Sequence, residues 1–385
     1  MREEVVLIVG AGQSGLATAA CLKELSVPCL ILERDGCIAS LWRRRCYDRV
    51  KLHLAKEYSQ LPHLPHPPEA PTFLPKDDFV RYLDDYAERF RLRVALSREV
   101  VSAEYHEASG RWLVTARNTE NNGGGAEELY SARYLVVASG ENAEAAMPEI
   151  PGLAEFRGPV LHSSRYRTGR DYEGKAVLVV GGGNSGMEIA LDVADGGAHT
   201  TCVVVRSQLH IVPRETWFVA MRLMRFLPMW LLDHLILLAC YFKYGDLSRY
   251  GLHRPSMGPM YMKKHTPIYP VVDVGTVNKI KAGEVQVVPS IKSIEGNGVT
   301  FTDGRTHNFD AVILATGYRS SVKKWLKGDD FLIGEDGMSK QKYPNHWKGK
   351  KNKLYCAGLT RMGIQGSADD AKKIADDIAD DYRNN

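Results

Sequence analysis

Seven cysteines occur, at 21, 29, 37, 46, 202, 240 and 356, yet no two form a C-x-x-C and none stands with histidines at zinc-ligand spacing. The missing pair excludes a dithiol–disulfide reductase, and the missing cluster excludes a zinc site of the usual kind. An odd, unpaired count reads as reduced thiols in a cytosolic setting, most of them small core fillers. A strong charge of one sign is lacking as well. Lys and Arg total 50 against 46 Asp and Glu, a net +4, dispersed along the chain, which excludes a nucleic-acid footprint. No run reads as a membrane span. The most apolar stretch, "FLPMWLLDHLILLACYF" at 226–242, falls short of the roughly 20 residues required and carries Asp233 and His234 at its centre. It reads as a buried helix, with association at a membrane surface left open. The first residues run straight into a polar start and a strand, so no leader is expected.

What is present is a balance of 44% hydrophobic and 25% charged residues over 385 positions, enough for a sizeable core and two or three domains. One pattern occurs twice. "VVLIVGAGQSGLATAACLKELSVPCLILERD" at 5–35 and "VLVVGGGNSGMEIALDVADGGAHTTCVVVRS" at 177–207 each read as strand, glycine turn, helix and second strand. Gly10, Gly12 and Gly15 make G-x-G-x-x-G in the first, and Gly181, Gly183 and Gly186 make it in the second. The glycines serve a tight turn, close approach to a pyrophosphate, and helix-on-strand packing, while the helix N-terminus offers N–H groups to phosphate. Gln13, Ser14 and Arg34 count with the first cradle, Asn184 and Ser185 with the second.

The two copies end differently. Glu33 closes the first, placed to accept hydrogen bonds from ribose hydroxyls. Arg206 and Ser207 close the second, where a guanidinium can clamp a 2′-phosphate that an acid would repel. The cradles therefore hold different dinucleotides, the N-terminal one read as FAD and the other as NADPH. Together they predict an α/β fold with two Rossmann-like dinucleotide-binding domains.

"YLVVASG" (134–140) and "AVILATG" (311–317) are similar apolar strands that bracket the second cradle. They predict an FAD-binding domain over 1–165 and 310–385, with an NADPH-binding domain inserted at 166–309 and holding an apolar helical region at 217–244. Strands at "RWLVTARN" and "ELYSARYLVVASG" are joined by the loop "TENNGGGAEE", and a last helix carries Ala371, Ile374, Ala375, Ile378 and Tyr382 on one face. Ser367 with Asp370 reads as a capping box at its start.

"FRGPVLHSSRY" at 156–166 carries Phe156, Gly158, His162 and Tyr166 in the F-x-G-x-x-x-H-x-x-x-(Y/F) pattern, which resembles the signature of class B flavin-containing monooxygenases. "ATGY" at 315–318 is similar to that family's second linker motif. More narrowly, "ASLWRRRCYDRVKLHLAKE", "PVVDVGTVNKIKAGEVQV", "FDAVILATGYRSSVKKWL" and "YCAGLTRMGIQGSADDAKKIADDI" resemble the plant YUCCA-type indole-3-pyruvate monooxygenases over almost the whole chain. Gln13 and Ala55 depart from that pattern, where proline is common.

The resemblance implies that NADPH reduces FAD, that the reduced flavin traps O2 as a C4a-(hydro)peroxide, and that attack on the 2-keto carbon of indole-3-pyruvate with loss of CO2 gives indole-3-acetate, the auxin. No protein nucleophile is needed. His53 and Asn142 are the flavin-adjacent candidates. Trp42 either packs on the flavin or is core; Thr316, Gly317 and Tyr318 either touch FAD or end a strand. His162 either contacts NADPH or braces a linker. An arginine is expected on the substrate carboxylate, with Trp217, Phe218, Met221, Met224 and Trp230 as pocket walls or simply core. The resemblance further implies a cytoplasmic enzyme, with association at the endoplasmic reticulum surface left open. The alternative is an N- or S-oxygenating plant relative using the same cofactors; a third reading is a non-enzymatic nucleotide-binding protein.

Overall fold

The structure, a computed structural model, describes residues 1–120, 125–329, 331–341 and 352–384. They form two compact units, one of 1–44, 54–144 and 318–385, the other of 45–53 and 145–317. Residues 121–124, in the middle of the expected "TENNGGGAEE" loop, lie outside the described residues.

In the first unit the strand Arg2–Val9 lies between Cys29–Leu32 and Glu127–Val137, parallel to both. Its β-branched run Val6–Val9 is buried, as a strand covered on both faces requires. Val94–Ala95 extends one edge. On the other side Glu127–Val137 divides its length, its N-terminal half pairing antiparallel with Arg111–Asn118 and its C-terminal half parallel with Leu354–Cys356. Arg98–His106 completes the sheet. Helix Gln13–Glu24 packs against the C-terminal helix Gly363–Asn384. Ala371, Ile374, Ala375 and Ile378 are fully buried there, as their spacing predicts, with Tyr382 half-buried.

The second unit is built on a fully parallel sheet in the order Val285–Val288, Thr200–Val204, Ala176–Val180, Ala311–Leu314, Val160–His162. Val177 and Val179 face one core cluster while Leu178 and Val180 face the other, so the strand is apolar throughout rather than alternating.

This pairing changes the meaning of "AVILATG". Read as a return to the first domain, it in fact sits beside Ala176–Val180 as Glu127–Val137 sits beside Arg2–Val9. The two apolar strands are equivalent members of two sheets. The compact units accordingly divide at 144/145 and 317/318 rather than 165/166 and 309/310, because Val160–His162 and Ala311–Leu314 pair with each other. The segment 45–53 also belongs to the second unit.

Candidate functional site

Each unit carries a cradle, and the two are superimposable in their constraints. A Cβ at Gly10 (φ 111°) would stand 2.5 Å from the Ala138 carbonyl oxygen, and one at Gly181 (φ 123°) would collide with that of Ala315. Side chains at Gly15 and Gly186 would strike the carbonyl oxygens of Gly10 and Gly181. Gly12 and Gly183 meet nothing within 4 Å. Two glycines of each motif are thus demanded by packing of strand, turn and helix, whereas the middle one faces open space where a diphosphate can approach the backbone.

Both helices begin on those middle glycines, with no side-chain cap and no acid in the first turn. Their first N–H groups have no intrahelical acceptor and carry the positive end of the helix dipole. A bound pyrophosphate satisfies both conditions, so the residues present fit a dinucleotide at each cradle.

Glu33 is buried, and its Oε2 accepts the Ala11 N–H at 2.7 Å while Oε1 accepts the Asp35 N–H at 3.0 Å and the Ser40 hydroxyl at 3.4 Å. Burial raises its pKa, and the two backbone donors work against that rise. The acid therefore locks the glycine turn, and with about four acceptor positions on a carboxylate it retains room for a ribose hydroxyl. Arg34 donates to the Ala143 carbonyl at 2.8 Å, and Trp42 donates to Gln13 Oε1 at 3.2 Å while meeting Phe79 edge-on at 5.0 Å. Trp42 is thus half-buried structure that also fixes Gln13. Asn142 is exposed beyond the strand Glu127–Val137. At the end of Thr200–Val204, Arg206 and Ser207 are exposed.

Behind the first cradle, Ser14 Oγ donates to Ser367 Oγ at 2.9 Å, and Asp370 accepts the Gly358 N–H at 3.0 Å. The expected capping box is corrected here: the helix begins at Gly363, so Ser367 and Asp370 lie inside it and are spent on the cradle wall. Burial pushes the Asp370 pKa up to about 7.

In the second unit the F-x-G-x-x-x-H-x-x-x-Y residues form a clamp. Phe156 is core, and a side chain at Gly158 would collide with the Asp310 carbonyl. The Ser164 N–H reaches His162 Nδ1 at 3.1 Å, so Nε2 carries the proton and donates to the Gly317 carbonyl at 3.0 Å. Burial lowers the His162 pKa, and the bond to the Gly317 carbonyl works against that drop. Tyr166, fully buried, donates to Asp192 Oδ2 at 2.6 Å, which also accepts the Gly169 N–H at 2.9 Å. Thr316 donates to the Ala146 carbonyl at 2.6 Å. Thr316 and Gly317, candidates for FAD, follow the strand Ala311–Leu314 of the second sheet and are held by Ala146 and His162.

His53, also assigned beside the flavin, belongs to the second unit. Its Nε2 lies 2.5 Å from Glu188 Oε1, and Tyr47 donates to Glu188 Oε2 at 2.7 Å. Glu188 is buried on the helix of the second cradle, two residues after Gly186. Burial first, and then the Glu188 carboxylate, hold the Tyr47 hydroxyl well above its ordinary pKa. Asn184, expected at the nucleotide, accepts the Val272 N–H at 2.7 Å, while Ser185 bonds Tyr47. The Tyr47–Glu188–His53 group has no spacing motif to reveal it.

The 217–244 region folds as helices Arg214–Leu223 and Met229–Tyr244. Buried Asp233 accepts the N–H groups of Met260 at 2.6 Å and Tyr261 at 3.2 Å, capping helix Pro259–His265. Trp217 and Met221 are buried, Phe218 is half-buried, and Met224 and Trp230 are exposed. Among the described residues no cluster of side chains fits a metal ion.

A family model described as flavin-binding monooxygenase-like matches residues 3–358. The chain is 48% identical over 377 residues to the Arabidopsis thaliana protein named probable indole-3-pyruvate monooxygenase YUCCA10, spanning 98% of this chain and 97% of that one. It is 45% identical over 382 residues to indole-3-pyruvate monooxygenase YUCCA1 of Oryza sativa subsp. japonica, spanning 98% of this chain and 92% of that one. Among solved structures, a flavin-containing monooxygenase from Stenotrophomonas maltophilia matches with a TM-score of 0.72 at 22% identity, covering 99% of this chain and all of that one. An oxidised steroid monooxygenase bound to NADP matches at 0.71 and 19%, covering 99% and 86%. At such identities the structural likeness speaks to fold.

Proposed function

The chain belongs to the flavin-binding monooxygenase-like family, and from that premise we propose that it converts indole-3-pyruvate to indole-3-acetate, the oxidative decarboxylation that yields auxin. NADPH, O2 and a proton are consumed with the keto acid; indole-3-acetate, CO2, water and NADP⁺ leave. The observation that carries the cofactor assignment is the pair of matched cradles whose second strands end on Glu33 and on Arg206. The substrate is supported by the names of relatives 45–48% identical along nearly the full chain.

Bound FAD supplies the redox and oxygen chemistry. The chain's own residues position it. The N-terminus of Gln13–Glu24 holds the flavin dinucleotide's pyrophosphate, and Glu33 accepts from its ribose while bracing the turn. The N-terminus of Asn184–Asp195 and Arg206 do the same for NADPH, the guanidinium matching the 2′-phosphate. The clamp of His162, Tyr166 and Asp192 fixes the strand ends around the second cradle. The remaining assignments, Asn142 and Ser207, stay part of this proposal as exposed residues free to meet a ligand.

No helix among the described residues is long and apolar enough to cross a membrane. The proposal includes contact with the endoplasmic reticulum surface, supported by the exposure of Phe226, Trp230, Leu238 and Phe242, with exposed Arg225 next to Phe226 in sequence.

Purified yellow protein given NADPH and indole-3-pyruvate should release indole-3-acetate and CO2 in equal amounts. Oxygenation of thioethers or amines with no turnover of the keto acid replaces this reading by the N- or S-oxygenating one.

A further inference from the structure

Lys263 lies on helix Pro259–His265, whose N-terminus Asp233 caps. A lysine on a protein surface normally buries its methylene stem and leaves the ammonium in water. Lys263, itself half-buried, turns its ammonium toward apolar side chains instead. Its Nζ stands 3.8 Å from the sulfur of Met221 and 5.3 Å above the ring of Trp217, both buried side chains. No carboxylate lies within ion-pair distance of it among the described residues. The neighbouring Lys264 and His265 are exposed, and Lys243 across the helices reaches Glu215. Desolvation lowers the Lys263 pKa, with no nearby acid opposing the drop.

A desolvated ammonium without an anion is unfavourable, and a thioether and an indole face offset only part of the loss. Such a group is tolerated where an anion arrives later to complete it. The surroundings specify what kind of anion. Indole and thioether make a flat, polarisable, apolar wall suited to an aromatic ring, and one ammonium suits one carboxylate.

We propose that Lys263, with Trp217 and Met221, forms a binding site for an aromatic carboxylate, and that Lys263 is the residue that takes the carboxylate of the keto acid. The proposal rests on the activity assigned above and deepens it. It also moves the anchor from the arginine expected from sequence to a lysine.

Three proteins decide it: wild type, Lys263→Met and Lys263→Arg, each as the flavin-loaded enzyme. Lys263→Met raises KM for indole-3-pyruvate by about tenfold or more with kcat within about threefold, the pattern of lost uniform binding, whereas Lys263→Arg stays within about fivefold of wild type. Calorimetric titration with indole-3-acetate and its neutral isostere indole-3-acetamide supplies a readout independent of turnover. The acid loses about tenfold in affinity in Lys263→Met and the amide does not. Ligand-free Lys263→Met melts no lower than wild type, because a partly desolvated charge without a counter-ion has been removed. An unchanged KM, equal losses for acid and amide, or a lower melting temperature with Lys263→Arg equally impaired makes Lys263 a packing residue and overturns the proposal. Should wild type turn over no keto acid, the assigned activity fails, while the acid–amide comparison still decides the site.

Discussion

Glu33 accepts the backbone N–H of Ala11 at 2.7 Å, so the acid that ends the first β-α-β unit is bonded to the glycine turn that begins it. Sequence reading gives this acid one task, a ribose. The structure adds a second, bracing the glycine turn through the Ala11 N–H.

Glu33→Ala therefore removes more than a ribose contact. It leaves the buried Ala11 N–H without its acceptor, a loss of about 1–3 kcal/mol. The variant is expected to purify with little flavin and to unfold at lower urea concentration even when compared as apoprotein. Full flavin content with unchanged apoprotein stability would contradict the bracing role.

Arg206→Ala separates the cradles. Loss of a charge-assisted pair to the 2′-phosphate should raise KM for NADPH by about tenfold or more and leave KM for NADH within about twofold, with flavin content intact. Steady-state kinetics with both nicotinamides checks this. Parallel changes in the two KM values would remove Arg206 from the phosphate.

The signature histidine and tyrosine are expected to be stability residues. Tyr166→Phe deprives buried Asp192 of its 2.6 Å donor and should cost about 1–3 kcal/mol in urea unfolding. His162→Ala frees the Gly317 carbonyl at similar cost. KM for NADPH should move less than about threefold in either variant; a rise comparable to that of Arg206→Ala would mean direct nucleotide contact.

Asp370 gives the fold a pH dependence of known sign. Its folded pKa, about 7, lies above the unfolded value, so its favourable contribution is complete at acid pH and is lost as pH rises through 7. Asp370→Asn keeps an acceptor for the Gly358 N–H and removes the charge. The melting temperature of Asp370→Asn relative to wild type should climb between pH 5 and pH 8. A difference constant over that range would show that the carboxyl does not titrate there.

The cradles were legible because turn, glycines and flanking strands are contiguous in sequence, and their geometry is dictated by backbone collisions that any side chain would cause. Sheet membership was not. "YLVVASG" and "AVILATG" satisfy identical demands, a buried strand beside a glycine turn, and nothing local says which sheet each joins. His53 and Glu188 are 135 residues apart, and Ser14 and Ser367 are 353 apart, so no motif could pair them. The capping-box reading of Ser367 and Asp370 failed because both polar groups had tertiary partners, Ser14 and Gly358, that outweigh local spacing. Lys263 stands in "MYMKKH" beside an exposed lysine, and only packing distinguishes the two.

The measurement closest to the central claim is anaerobic mixing of the flavin-loaded protein with each nicotinamide, followed by admission of O2 and indole-3-pyruvate. If one cradle holds FAD and the other discriminates the 2′-phosphate, NADPH bleaches the visible flavin band much faster than NADH, Arg206→Ala abolishes that preference, and colour returns with release of indole-3-acetate. Equal bleaching by NADPH and NADH in wild type, or a protein that takes up no flavin at all, would contradict it.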